Sequence, residues 1–139
     1  MIGFDPSEEQ ALIVETVRQF AEKEIRPLAR ECDEQGTIPR GVLEQAHELG
    51  LVAHALPQEA GGGGERSAIT GALIAEELAW GDLSIALAVL SPGLVALPVA
   101  EFGTAEQKER WLPRYLGEDR KSTRLNSSHS QQSRMPSSA

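Results

Sequence analysis

The sequence predicts an all-α protein, an up-and-down bundle of about five to six helices followed by a disordered C-terminal tail. No stretch alternates apolar and polar residues for long enough to predict a strand. Apolar residues instead recur every three or four positions in several segments, which is the spacing of one helix face. Glycines and prolines separate these segments, as is typical of helix ends.

The first predicted helix begins at Ser7, which can form a capping box with Gln10 three residues later. It continues for about 25 residues, or about 37 Å. A kink is expected near Pro27, because proline removes one hydrogen bond from the helix backbone. The apolar stripe of this helix consists of Ile13, Val17, Phe20, Ala21, Ile25, Leu28 and Cys32.

A second helix is predicted from about Arg40 to Leu49, with Pro39 before it and Gly50 in the position of a C-terminal cap. Four consecutive glycines, Gly61 to Gly64, then indicate a flexible loop. A phosphate-binding loop is not expected here, since it would end in Gly-Lys-Ser or Gly-Lys-Thr.

A third helix is predicted from about Ser67 to Ala79. We expect Ile69, Leu73, Ile74 and Leu78 to face the core, and Glu76 and Glu77 to face the solvent. Adjacent glutamates diverge by about 100° around a helix, so they do not form a pair for acid and base catalysis.

The segment from Leu83 to Ala100 contains no charged residue. At about 18 residues it just reaches the length of a transmembrane helix. Ser91-Pro92-Gly93 interrupts it, however, and Pro98 follows in its second half. Two short buried helices, about 82–90 and 93–102, are therefore predicted in place of a membrane span.

The last predicted helix begins at Thr104, which can form a second capping box with Gln107. A bend or break is expected at Pro113. The apolar face of this helix comprises Trp111, Leu112, Tyr115 and Leu116.

Charge and cysteine content narrow the class of protein. Residues 1–118 carry a net charge of −11, so a nucleic-acid surface, which needs clustered Lys and Arg, is not expected. Cys32 is the single cysteine, which excludes an intrachain disulfide and suggests a small buried side chain. Without a signal-peptide pattern at the N-terminus, we expect a cytoplasmic protein. His47 and His54 have no metal-ligand spacing, and no catalytic, cofactor-binding or metal-binding residue is predicted.

Residues 119–139 differ from the rest of the chain. They contain seven serines, against four in the preceding 118 residues, and a net charge of +3. Such a segment cannot bury enough apolar surface to fold. Asp119 to His129 and Ser133 to Ala139 resemble translated sequencing-adapter sequence, with Ser130-Gln-Gln132 as a barcode. The tail is therefore expected to be non-native, and a natural Ser-rich extension is the alternative.

Several passages occur in the order and spacing of one family. The run from Phe102 to Gly117 resembles the last helix of the N-terminal domain of the acyl-CoA dehydrogenase family. Glu76 to Asp82 resembles the family's Glu-Glu-Leu passage, and Glu48 to Leu51 resembles its Leu-Gly-Leu turn. Pro57 to Gly62 matches a further motif, except that Ala60 replaces an aromatic residue. The resemblance covers nearly all of residues 4–118 and assigns residues 1–118 to this α-helical domain.

The resemblance implies the N-terminal domain of a flavin-dependent acyl-CoA dehydrogenase, which performs α,β-dehydrogenation of acyl-CoA thioesters. FAD, the catalytic glutamate and the middle and C-terminal domains would lie beyond this chain. The parent enzyme is expected to be a homo-oligomer, whereas this truncated chain is expected to be inactive and to bind no FAD. A flavin-dependent monooxygenase or acyl-CoA oxidase, and a non-enzymatic helical interaction module, are the alternatives.

The resemblance also implies a substrate-binding site. Aligned with the family's pocket-lining stretch, the charge-free helices would contribute one wall of the acyl pocket. The implied residues are Leu87, Leu90, Ser91 and Leu94. Core packing alone is the alternative role for the same four side chains.

Overall fold

The computed structural model describes residues 5–64 and 66–116, and every regular element within them is helical. The all-α prediction is confirmed for these residues. The predicted tail and the domain boundary at residue 118 lie outside them. The α-helices are α1 (Glu8–Phe20), α2 (Ala29–Gln35), α3 (Arg40–Glu48), α4 (Ala68–Gly81), α5 (Leu83–Leu90), α6 (Gly93–Phe102), α7 (Ala105–Trp111) and α8 (Pro113–Leu116).

Helix α1 begins at a side-chain cap and ends where the backbone hydrogen-bond pattern changes. The Ser7 hydroxyl accepts a hydrogen bond from the Gln10 amide and the Gln10 side chain accepts one from the Ser7 amide, which confirms the predicted capping box. After Phe20 the chain widens into a π-helical turn, Ala21–Ile25, in which the Arg26 amide donates to the Ala21 carbonyl at 2.8 Å. Pro27 explains this wider turn, because it has no amide to donate to the fourth residue before it. The predicted helix of about 25 residues is therefore interrupted between Phe20 and Ala29, next to Pro27.

Helix α4 forms the centre of the larger core. It packs against α1, the π-helical turn and α5. Leu78 and Ile85 are fully buried, and Ile74 is 2% exposed. The predicted stripe of the first helix faces this core, since Val17, Phe20, Ala21, Ile25 and Cys32 are all buried.

The predicted orientation of α4 is wrong at two positions. Ile69 is 66% exposed, whereas Glu77 is buried with 9% exposure. The contact with α1 explains both differences. Gln10 Nε2 donates to the buried Thr70 hydroxyl at 3.3 Å, and Arg18 Nη2 reaches Glu77 Oε1 at 2.5 Å. The face of α4 next to α1 therefore carries Thr70 and Glu77, and Ile69 lies outside it.

The junction between α4 and α5 is tight. Asp82 leaves the helical conformation with φ −168° and ψ 130°, which ends α4. Its Oδ1 accepts a hydrogen bond from the Ile85 amide at 2.8 Å and caps α5. Gly81 lies directly against the π-helical turn, where a Cβ atom would be 2.9 Å from Ile25 Cγ2. Helix α4 can approach the turn this closely because residue 81 has no side chain.

A smaller core lies at the other end of the molecule. Its buried members are Leu56, Ala96, Ala100 and Leu112, contributed by the loop before α4 and by α6 and the end of α7.

Thr104 and Gln107 form the predicted capping box of α7, and the helix path divides at Pro113 as predicted. Helix α6 continues through Pro98.

The glycine run is held in place by hydrogen bonds to the preceding loop, which contains short 3-10 turns at Ala53–Ala55 and Gln58–Ala60. The Gly62, Gly63 and Gly64 amides donate to the carbonyls of Pro57, Ala53 and Leu56 at 3.0, 3.1 and 2.8 Å. A Cβ at Gly62 would be 2.3 Å from the Leu56 carbonyl oxygen. Four consecutive glycines predict a flexible loop, whereas the loop in the structure is closely packed.

Candidate functional site

The four predicted substrate-binding residues share one side of α5 and α6. Ser91 and Pro92, between the two helices, both have right-handed helical dihedral angles, with φ −55° and ψ −34° for Ser91. The helical path therefore continues from α5 into α6. Positions 87, 90, 91 and 94 then recur at the three- and four-residue spacing of a single face. We call Leu87, Leu90, Ser91 and Leu94 the α5–α6 stripe.

The two ends of the α5–α6 stripe are open to solvent. Leu87 is 63% exposed and Leu94 is 79% exposed. The stripe is extended by Leu83, which is 62% exposed, and by Val95, which is 49% exposed. Large apolar side chains exposed together in this way mark a surface that another molecule or domain covers.

The two middle residues of the stripe have different surroundings. Leu90 is half-buried and packs against the larger core. Ser91 is exposed, and its hydroxyl donates to the Ala88 carbonyl at 3.3 Å. That carbonyl lacks its usual helical partner, because Pro92 has no amide hydrogen. Leu90 therefore supports the core as well as the stripe, and the Ser91 hydroxyl satisfies the helix backbone.

The prediction that α5 and α6 are buried helices needs correction. Ile85, Ala86, Val89, Ala96 and Ala100 are buried, but Leu83, Leu87, Leu94 and Val95 are exposed. Helices that are apolar all round are expected to be buried on all sides. No polar face in their sequence indicates which side lies open, so the exposed side is visible only in the structure.

Membrane insertion is a separate question for this segment. Within the described residues, Leu83–Phe102 is long and apolar enough to cross a membrane by length and composition. Its central Ser91-Pro92 step and its contacts with two cores place it in a helical domain. The absence of a membrane span remains a prediction.

The titratable groups of the described chain do not form a catalytic centre at the stripe. No group of three or more His, Cys, Asp or Glu that could hold a metal ion occurs in the part of the chain that the structure describes. The hydrogen bond with Glu77 raises the pKa of Arg18, whose guanidinium is positively charged at neutral pH. The Arg18–Glu77 contact is therefore a structural link between helices.

Cys32 is also unsuited to catalysis. Burial raises the pKa of its thiol, and the charges of Asp82 and Glu31 raise it further. The thiol is therefore protonated at neutral pH, and a thiolate nucleophile is disfavoured.

His54 lies in the first 3-10 turn, and its Nδ1 atom is buried without a hydrogen-bond partner among the described residues.

These observations define a class of protein: an all-helical domain with an exposed, charge-free apolar face. Residues 7–119 match the acyl-CoA dehydrogenase N-terminal domain. The chain belongs to the acyl-CoA dehydrogenase family, as the N-terminal domain of such a protein.

Named relatives and a solved structure agree with this assignment. The chain is 40% identical over 112 residues to cyclohex-1-ene-1-carbonyl-CoA dehydrogenase of Geobacter metallireducens, covering 81% of this chain and 29% of that protein. It is 34% identical over 111 residues to a probable medium-chain specific acyl-CoA dehydrogenase of Caenorhabditis briggsae, covering 80% of this chain and 27% of that protein. The structure of butyryl-CoA dehydrogenase from Megasphaera elsdenii superposes with a TM-score of 0.75 at 27% identity, over 84% of this chain and 31% of that one. The chain thus spans less than a third of these relatives.

Free backbone amides of a glycine-rich loop could hold a flavin pyrophosphate. The glycine run is the one segment whose composition suggests a phosphate cradle, but the Gly62, Gly63 and Gly64 amides donate to loop carbonyls. Arg66, which follows this loop, pairs with Glu101 at 2.5 Å. The glycine amides and Arg66 therefore do not fit a flavin pyrophosphate.

Proposed function

We propose that this chain is the substrate-facing N-terminal domain of a flavin-dependent acyl-CoA dehydrogenase, and that the α5–α6 stripe forms one wall of its acyl pocket. The observation that carries the proposal is the exposure of Leu87 and Leu94 at 63% and 79% on a segment without any charged residue. Family membership supplies the reaction class, an α,β-dehydrogenation of an acyl-CoA thioester.

The chemistry of the stripe suits an acyl chain. Leu87 and Leu94 are separated by about 10 Å along the helical path. Between them Leu90 presents a further aliphatic surface, and the Ser91 hydroxyl is already hydrogen-bonded to Ala88. A hydrocarbon chain placed along this face would lose no hydrogen bond, and it would cover apolar side chains that otherwise contact water.

The role of the domain is binding and exclusion of water. The stripe has no group that could remove a proton, so the base and the electron-accepting flavin belong to the rest of the parent protein. On this proposal FAD, the acyl-CoA substrate and the middle and C-terminal domains come together only in the full-length enzyme, which we expect to be a homo-oligomer. The 139-residue chain alone is then inactive.

The proposal predicts the product made by the full-length protein. With a saturated acyl-CoA and an artificial electron acceptor, we expect the 2-enoyl-CoA, measured by mass spectrometry, and no product from the 139-residue chain. Hydrogen peroxide formed at the same rate as the product would indicate an oxidase, and an oxygenated product would indicate a monooxygenase. A full-length protein that neither binds nor converts acyl-CoA would contradict the proposal and favour an interaction module.

A further inference from the structure

The described chain contains two separate clusters of buried side chains. The larger cluster is built by α1 to α5, and along α5 its last buried member is Val89. The smaller cluster is built by the loop before α4 and by α6 to α8, and along α6 its first member is Ala96. Helices α4 and α5 pack extensively on each other, whereas neither makes an extensive contact with α6, which contacts α7. The boundary between the two clusters falls at Ser91–Gly93.

The backbone is weakened at this boundary. Pro92 cannot donate a hydrogen bond to the Ala88 carbonyl, which accepts the Ser91 hydroxyl instead. Beyond it, the Leu94 and Val95 amides donate to the third residue before them, Ser91 and Pro92, at 3.0 and 3.2 Å. Prolines and short-range hydrogen bonds of this kind are where helices bend. Gly93 is buried at this boundary, and a Cβ there would make ordinary contacts, the nearest at 3.8 Å from Val52 Cγ1.

An ion pair joins the two halves at a second place. Arg66, directly before α4, reaches Glu101 of α6 at 2.5 Å, with side-chain exposures of 61% and 39%. An exposed pair of this kind is weak and is screened by salt. Beside it lies a cavity of about 410 Å³ between the loop and α6, lined in part by Pro57, Gln58, Leu97 and Ala100. Arg66 and Glu101 also line this cavity, so solvent reaches the ion pair.

We propose that α6 to α8, together with loop residues 53–64, form a unit that opens and closes against α1 to α5. The hinge is Ser91–Gly93, and the Arg66–Glu101 ion pair is the latch that holds the closed state. The hinge divides the α5–α6 stripe, since Leu87 and Leu90 lie on one side and Leu94 on the other. Closure would thus set the shape of the acyl wall. This consequence rests on the proposed function, whereas the hinge and the latch are independent of it.

Amide hydrogen exchange of the 139-residue chain, followed by mass spectrometry, tests this directly. Exchange in α6 and in Gly62–Gly64 is expected to be about tenfold faster than in α4 and α5, and both segments should respond together as one cooperative unit. Glu101→Gln should speed both by a further factor of about three, with α4 and α5 unchanged. Glu34→Gln is the matched control, because it removes the exposed Arg30–Glu34 pair, at 2.9 Å, within α2.

Salt provides an independent measurement of the latch. Raising the ionic strength from about 0.02 M to about 0.5 M should speed exchange in α6 and Gly62–Gly64 of the unsubstituted chain. The same change should have little effect on Glu101→Gln, which has no latch to screen. Equal exchange in α4 and α6 would overturn the proposal. A change in the exchange rate of α6 without a change in that of Gly62–Gly64 would also overturn it. So would an equal effect of Glu34→Gln and Glu101→Gln on the exchange rate of α6. All three readouts are independent of acyl-CoA binding, so failure of the hinge and failure of the proposed function can be told apart.

Discussion

Replacing Leu78 by alanine is expected to lower the free energy of unfolding by about 3–5 kcal/mol. Leu78 is 0% exposed and belongs to the cluster in which α4 packs against α1, the π-helical turn and α5. Truncation to alanine would leave a cavity at this meeting point, since helix backbones cannot collapse to fill it. Small domains have about 5–15 kcal/mol of stability in total, so the loss is a large fraction of it.

Urea unfolding followed by circular dichroism measures this loss. Leu12→Ala is the matched control, because Leu12 lies on α1 with 69% exposure, and its replacement should change the stability by no more than about 0.5 kcal/mol. A loss of less than about 1 kcal/mol for Leu78→Ala would show that α4 is not the centre of the core.

Two glycine-to-alanine substitutions in α4 are expected to have opposite effects. Gly81→Ala should destabilise the chain by about 1–3 kcal/mol, because the new methyl group would be 2.9 Å from Ile25 Cγ2 and 3.3 Å from Ala21 Cβ. Gly71→Ala should stabilise it by about 0.5–1 kcal/mol, because no atom lies within 4 Å of the new methyl group and alanine is the better helix former.

The same unfolding experiment compares the two variants. Both variants replace glycine by alanine in α4, so the change in helix propensity affects their stability similarly. A difference in sign between their stability changes therefore reports the contact of residue 81 with the π-helical turn. If both variants were stabilised, the close packing of Gly81 on Ile25 would be refuted.

Features that depend on a few neighbouring residues could be predicted from the sequence. The capping boxes at Ser7 and Thr104 need only a residue three positions later, and both occur in the structure. The interruptions next to Pro27 and at Pro113 agree with the missing proline amide, although α6 continues through Pro98. Helix positions were predictable for the same reason.

Features that depend on distant parts of the chain could not be predicted. Glu77 was expected in solvent, but α1 brings Arg18 next to it, and a paired carboxylate can then be buried. The ordered glycine run likewise depends on the carbonyls of Ala53 and Pro57, which accept its amides. Spacing along one segment contains no information about such partners.

The candidate site combines one feature that the sequence predicts with another that depends on packing. Spacing alone places Leu87, Leu90, Ser91 and Leu94 on one helix face, and the family resemblance selected them. Which of them would be open to a ligand depends on packing: Leu90 contacts the larger core, whereas Leu94 is 79% exposed. A bulky residue at position 90 would therefore disturb the core as well as the stripe, and position 94 is the cleaner probe.

The substrate profile of the full-length protein carrying Leu94→Trp tests the acyl wall most directly. Rates are measured over a series of acyl-CoA chain lengths and compared with those of Leu12→Trp, a matched control at an exposed leucine on α1. The added indole is expected to shift the preference towards shorter chains, lowering kcat/KM for the longest accepted chain at least tenfold, because it would occupy space along the wall. Leu12→Trp should leave the profile unchanged. An unchanged profile for Leu94→Trp, or the same shift in both variants, would contradict the assignment of the α5–α6 stripe to the acyl pocket.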